Sequence, residues 1–348
     1  MYHFNPSSDK EEGIMKKTNT ILTMVFLFLL ITFIYTSDAG AKKVYVANSG
    51  NNTVSVIDPA KNEVVMTIRT GVWPASIAVD PASKRAYIVN SNEGDSTISV
   101  VDTESYSEIT KIKVGIGPMS IVLDPAAGIA YAADTEHMVE GKNVNKTLSV
   151  IDLKTNKVTG KIEVGVGPFD MKILDKKLYV SNSGDWTVSV LNTADRKILN
   201  TIKVVDTPLG IDVHPEKKKV YVAIHGKGQV TVIDAVNNKD VGSIPVGKAA
   251  WYIAVDAAKN RAYVTTREEN KVSVIDTNTD KVIETIKVGK EPIGVAVDPE
   301  SHRLYVANFG DVSVSVIDTT NNKVVNTIKL TPATDSTYSG SPWGIAVY

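Results

Sequence analysis

Three observations predict an all-β fold, a seven-bladed β-propeller of four-stranded antiparallel blades. First, a tyrosine recurs at 45, 87, 131, 179, 221, 263 and 305, at spacings of 42, 44, 48, 42, 42 and 42 residues. Second, each unit carries four short runs rich in Val, Ile, Tyr and Thr, separated by Asn, Gly, Asp and Pro. That is strand chemistry, and four strands in roughly 40–45 residues is the size of one blade. Third, the first unit lacks an opening strand, while the chain ends on a spare one, Trp343 to Tyr348. Pairing that strand into the N-terminal blade closes the ring and leaves neither terminal edge exposed.

The 348 residues open on an address rather than a blade. Lys16 and Lys17 form a positive region, Ile21 to Tyr35 is apolar apart from Thr23 and Thr32, and Ala39-Gly40-Ala41 supplies small residues for cleavage. Residues 15–41 therefore read as a signal peptide cut after Ala41. The apolar run is shorter than the roughly 20 residues a membrane span needs, so no stable span is expected after cleavage. Residues 1–14 place acids ahead of the positive region and read as a mis-assigned extension, with Met15 the true start. Glu11-Glu12-Gly13 permits codons that spell a ribosome-binding sequence. Residues 42–348 form one exported domain, extracellular, at the cell surface or periplasmic, and expected to be a monomer.

Within each unit the elements follow a fixed order. The last full unit gives Gly294–Asp298, Arg303–Asn308, Ser313–Asp318 and Lys323–Lys329 as its first to fourth strands. The words Tyr45-Val-Ala-Asn48, Tyr87-Ile-Val-Asn90, Tyr179-Val-Ser-Asn182, Tyr263-Val-Thr-Thr266 and Tyr305-Val-Ala-Asn308 recur with Val-x-Val-Ile-Asp and Val-Gly-x-x-Pro phrases. These units resemble the YVTN family of β-propeller repeats over the whole of 42–348. Tyr131-Ala-Ala-Asp134 and Tyr221-Val-Ala-Ile224 depart from the pattern. The resemblance implies an exported propeller, as in archaeal surface-layer and bacterial periplasmic proteins, and implies little about activity.

Composition narrows the chemistry. There is no Cys, which excludes disulfides, thiol nucleophiles, thiolate metal sites and covalently attached haem. The chain has 38 basic and 39 acidic residues; three and four of them precede Lys42, leaving 35 of each. No polycationic field gathers nucleic acid, and single-stranded binding by aromatic stacking is disfavoured because such sites pair stacking with a basic groove. The repeated Asp58, Asp102, Asp152, Asp234, Asp276 and Asp318, with Asn192 in the fourth unit, each open a turn and read as turn caps. No His pair has metal-ligand spacing, and no cofactor or metal is implied.

Function is expected where the repeats differ. Propeller loops alternate between two faces, and sorting by strand order places all four tryptophans on one face. Trp73, Trp251 and Trp343 flank the turn entering a first strand, and Trp186 lies in a second-to-third loop. Phe169, Phe309, Tyr252, Tyr338 and His225 join them, as do two long insertions, Asp134–Thr147 and Thr331–Pro342. Clustered aromatics on loops of a rigid scaffold point to binding. The expected role is a binding or interaction module for a surface glycan, peptide or protein. The alternative is a lactonase-like enzyme at the channel mouth, built from Asp170, Lys172, Asp212 or His225. Four residues after each Pro, the expected channel wall reads Ala78, Val122, Lys172, Asp212, Ala254, Ala296 and Ala346. That wall offers no ring of metal ligands.

Overall fold

Alternation and β-branching along the chain give strands, and the turns set their order. A computed structural model describes residues 42–135, 145–332 and 340–348. Residues 1–14, the leader 15–41, the centres of both long insertions and Tyr338 lie outside the described residues. Among those described, seven four-stranded antiparallel sheets form in chain order. Blade 1 joins strands from both ends: β1 (Val44–Asn48), β2 (Thr53–Asp58), β3 (Glu63–Arg69) and β28 (Pro342–Val347). Blades 2 to 7 cover 74–113, 118–163, 168–203, 208–245, 250–287 and 292–329. The predicted seven-bladed propeller is the fold. No helix among the described residues is long and apolar enough to cross a membrane.

Closure takes the predicted form. Tyr45 faces Ala346 and Val44 faces Val347, and the Tyr348 amide donates to the Lys43 carbonyl at 2.8 Å. Lys42 adds an ion pair across the seam, 2.6 Å from the buried Asp298 carboxylate of blade 7. Second and third strands are covered by neighbouring blades on both faces, so they read as near-continuous apolar runs. Fourth strands face solvent; each of six keeps one buried isoleucine, such as Ile68 and Ile328, while its neighbours stay exposed.

The repeated residues hold the blades together. All seven tyrosines are fully buried. The Tyr131 hydroxyl donates to the Thr193 carbonyl at 3.3 Å, and that of Tyr221 to the Asp280 carboxylate at 2.9 Å, each in the outer turn of the next blade. The aspartates cap turns as predicted: Glu104 and Ser105 amides donate to Asp102, and the Thr155 amide donates to Asp152 at 2.7 Å. Backbone amides and the Ser105 and Thr155 side chains hold both carboxyls below the usual carboxylate range. Asn90 accepts from the Gly71 amide and donates to Thr97 and Ser99, tying the inner loops to the blade. Single 3-10 turns at Ser49–Asn51, Arg267–Glu269 and Phe309–Asp311 are a departure from a purely β chain. Each compresses a short second-to-third loop into one turn.

The tyrosines give a paired test. Tyr221→Phe removes a hydrogen bond to a carboxylate and should cost about 1–3 kcal/mol. Tyr305→Phe removes a buried hydroxyl with no hydrogen-bond partner among the described residues and should cost nothing, or stabilise. Urea unfolding of both variants checks the contrast; equal losses contradict it.

Candidate functional site

Each first strand opens with a register shift, such as that between Pro168 and Asp170 or between Pro292 and Val295. The bulge leaves the residue after the proline position unpaired and re-aims it. Around the ring these residues are Ala75, Met119, Phe169, Leu209, Trp251, Ile293 and Trp343. Ala75, Met119, Phe169 and Leu209 form one buried cluster, with Trp251, Tyr252 and Trp343 packed against it. Side chains from six blades share a contact cluster only by meeting on the axis. They plug the channel at the aromatic face.

The aromatics pack on one another. Trp343 is the hub, with Trp73, Trp251 and Phe309 edge-on at 6.4, 5.8 and 5.9 Å. His225 meets Trp251 edge-on at 5.0 Å, and Phe169 tilts against Tyr252 at 5.9 Å. Burial keeps the His225 imidazole below its ordinary range, so it is neutral at pH 7. The structure thus brings Trp73, Phe169, His225, Trp251, Tyr252, Phe309 and Trp343 into one network. Trp186 stands apart from it among the described residues, half exposed in a left-handed turn.

A second ring surrounds the plug, one residue beyond each second strand: Ser49, Ser91, Thr135, Ser183, His225, Arg267 and Phe309. It is small and hydroxylic on blades 1 to 4 and bulky on blades 5 to 7. Arg267 was not singled out from the sequence. Its guanidinium lies 5.1 Å from the Trp251 ring centroid and 5.5 Å from that of Phe309, and pairs with Glu291 at 2.7 Å. The signal was available, because aligning the units at this position exposes the change from Ser/Thr to His, Arg and Phe. Where the ring is low, a hollow of about 270 Å³ opens. Met119, Phe169 and Leu209 form its floor, Trp251 and His225 its wall, and Thr135, Ser183 and Thr207 its polar rim.

Asp170, Lys172 and Asp212 lie elsewhere. Asp170 and Lys172 line the axial channel with Tyr252, below the plug, in a cavity of about 380 Å³. His225 sits above the plug, so the four residues of the lactonase-like alternative do not share one mouth. Asp170 accepts from the Met171 amide at 2.9 Å and the Ile211 amide at 3.1 Å. Asp212 accepts from the Val255 amide at 2.8 Å, and Lys172 approaches it at 3.5 Å. Burial pushes the Asp170 carboxyl up to about 6, against the pull of Lys172. The negative field of Asp212, then of Asp170, raises the Lys172 ammonium, and burial raises the Tyr252 phenol. Among the described residues no group of three or more His, Cys, Asp or Glu is placed to hold a metal.

Residues 220–343 match the family model described as the cytochrome D1 heme domain, just over a third of the chain. A PE-PGRS family protein of Mycobacterium tuberculosis, PE_PGRS18, is 50% identical over 40 residues, 12% of this chain and 9% of that protein. The chain therefore spans less than a tenth of that curated relative. Among solved structures, Kuenenia stuttgartiensis hydrazine synthase is similar with a TM-score of 0.72 at 21% identity, covering 81% of this chain and 93% of that one. Dihydro-heme d1 dehydrogenase NirN, in complex with DHE, gives 0.66 at 10%, covering 90% and 76%. A functionally unknown protein from Desulfotomaculum acetoxidans gives 0.72 at 14%, covering 88% and 98%. At these identities the likeness is one of fold.

The d1 haem of that family model does not fit the hollow over Met119, Phe169 and Leu209. A hollow of about 270 Å³ is below the roughly 300–1,000 Å³ of small-molecule sites. His225, the described histidine on that face, is packed against Trp251, and Arg267 is held by Glu291 and two rings.

Asp170 sets a pH test. A carboxyl raised in the folded state from 3.8 to about 6 binds its proton more tightly when folded. Its contribution to stability is therefore greatest when it is protonated and is lost as pH rises through that window. Asp170→Asn removes this dependence. The variant's stability relative to the parent should improve from pH 4 to pH 7, read by urea unfolding at each pH; a constant difference contradicts the shift.

Proposed function

We propose that this is an exported propeller of the YVTN repeat type, acting as a binding module rather than an enzyme, with its site on the aromatic face. The observation that carries the reading is the hollow over blades 3 to 6. An apolar floor, a Trp–His wall and three hydroxyl-bearing rim residues form the usual composition of a recognition site, with apolar area for affinity and a few polar groups for orientation. The indole faces are largely committed. Arg267 covers Trp251, and edge-on rings surround Trp343. Flat stacking of a sugar ring or nucleobase is thereby disfavoured. The occupant that suits the hollow is one apolar side chain of a surface peptide or protein, with neighbouring backbone bonded to the rim.

The test is titration of intrinsic fluorescence of the chain from Lys42, which contains all seven closed sheets. Short peptides with a Leu, Met or Phe anchor should give a saturable change. Leu209→Glu, which places a charge on the hollow floor, should weaken it at least tenfold while circular dichroism stays unchanged. Cell-wall glycans or oligonucleotides giving the stronger saturable response would overturn the peptide reading. A peptide response unaltered in Leu209→Glu would remove the hollow as the site.

A further inference from the structure

The loop amides of the aromatic face follow a rule that blade 6 breaks. The residue just before the proline position has its amide accepted in blades 2, 3, 4, 5 and 7. The acceptors are Asn52 at 2.9 Å, Ser96 at 3.2 Å, the Asn145 carbonyl at 2.8 Å, Asp206 at 2.7 Å and Asn270 at 2.8 Å. Asn52, Ser96 and Asn270 are left-handed residues just ahead of the preceding blade's third strand. In blade 6 the donor is Ala249, and the left-handed residue opposite it is Gly228. Gly228 brings no side chain, so the Ala249 amide has no acceptor among the described residues. The Ala249 carbonyl is already taken by the Arg267 amide at 3.0 Å. The glycine has a packing cause: a β-carbon there would lie 2.4 Å from the Gly247 carbonyl oxygen. Loop amides are normally paired, and an orphan is completed by an acceptor from outside the chain.

The place of the missing side chain opens into a cleft of about 570 Å³ between blades 5 and 6, lined by both Gly228 and Ala249. Four charged side chains line it: Lys227, Lys248, Glu268 and Glu269. Glu269 is paired with Lys271, and Glu268 is exposed. Lys227 and Lys248 have no ion-pair partner among the described residues. Lys227 also reverses the repeat. At its position Asp95, Asp185 and Asp311 each accept a loop amide of their own blade. A cation thus stands where those three blades place an anion, beside an amide that lacks an acceptor. Asp206, which lies against Gly226, is occupied by the Thr207 amide and hydroxyl. An N–H and two ammonium groups around one space are the chemistry of an anion site.

The cleft adjoins the apolar hollow. His225 lines both, and Trp251 of the hollow's wall follows Ala249 by two residues. In the last residue of a peptide, side chain and carboxylate leave the same Cα, so they need an apolar and an anionic subsite side by side. We propose that this face captures a free peptide C-terminus, with its carboxylate on the Ala249 amide between Lys227 and Lys248 and its last, apolar side chain in the hollow. The inference rests on the reading of the hollow as the site of a peptide anchor. Capture of a terminal carboxylate by backbone N–H groups is an established mode of peptide recognition. An internal peptide carbonyl could take the amide but would leave both lysines unpaired. An N-terminal ammonium would be repelled by those lysines and could not accept from the amide.

The experiment is NMR titration of the 15N-labelled chain from Lys42 with acetyl-Gly-Ser-Gly-Leu as the free acid, the same peptide as its C-terminal amide, and inorganic phosphate. The acid should bind saturably and about tenfold or more tighter than the amide, the loss expected when charge-assisted bonds are removed. The Ala249 amide resonance should move with the acid and stay in place with the amide. Replacing both exposed lysines, Lys227→Gln with Lys248→Gln, should bring the acid down to the level of the amide, with unfolding curves confirming the fold. Equal binding of acid and amide would remove the carboxylate subsite and leave the hollow as a peptide site. Absence of binding by either would remove both. Acid binding that is unchanged in the lysine variant, or that leaves the Ala249 resonance in place, overturns the proposal. Acid binding that survives Leu209→Glu, or phosphate that binds more tightly than the acid, would make this a bare anion site and overturn the C-terminal part.

Discussion

Seven first strands must share one axis, and everything else follows from how much room that leaves. The strands approach so closely that a β-carbon on Gly294 would sit 2.2 Å from the Trp343 carbonyl oxygen, and one on Gly344 2.2 Å from that of Ala75. The side chains of each first strand therefore work as levels of a stack. One residue after the proline position, large residues fill the axis and close it. One level further in, Ser and Gly permit contact between strands. Below the plug, the first strands enclose a chamber that Ser76, Gly294 and Gly344 line at this level and Ala78, Val122 and Lys172 two levels on. Plug, close packing and chamber are three consequences of the same geometry, set by side-chain volume at successive positions.

The repeated residues complete that ring without taking part in chemistry. Tyr131, Tyr179 and Tyr221 reach across to the next blade's outer turn, Asn90 and Asn182 lace the inner loops, and the aspartates fix the outer turns. Their functions are local, so a periodic sequence is enough to build them. Function is left to positions where the period breaks. On the aromatic face the break is the change from Ser and Thr to His225, Arg267 and Phe309. That change raises one part of the outer ring and leaves a hollow against it, over blades 3 to 6.

The blades, their order and their closure were legible because each follows from residue pattern alone. Sorting loops by strand order also put the aromatics on one face. It did not give distance from the axis. Trp186 and Phe309 both occupy second-to-third loops, yet Phe309 opens its loop beside the plug and Trp186 sits at the far turn. Nor did it reveal that the rings pack on one another, since edge-on geometry depends on angles between blades. The channel charges were visible as unusual residues in a wall of small ones. Their separation from His225 was not, because only the assembled plug puts a barrier between them.

That barrier makes the two chambers chemically distinct. The outer hollow is apolar, shallow and bordered by hydroxyls, so it discriminates by shape and by a few hydrogen bonds. The inner chamber lies below the plug and is lined by Asp170, Lys172 and Tyr252 together with the first strands. Asp170 is the charged exception at its level of the stack. Its bond to the Ile211 amide is one a neutral oxygen could make, and five other blades use Ser or Gly at that level. A carboxylate there costs desolvation that a neutral side chain avoids. The 35 acidic and 35 basic residues from Lys42 onward leave no global excess to which it belongs. What the carboxylate adds over a neutral oxygen is attraction for Lys172, while its bond to the Ile211 amide and that of Asp212 to the Val255 amide tie blades 4, 5 and 6 together at the axis.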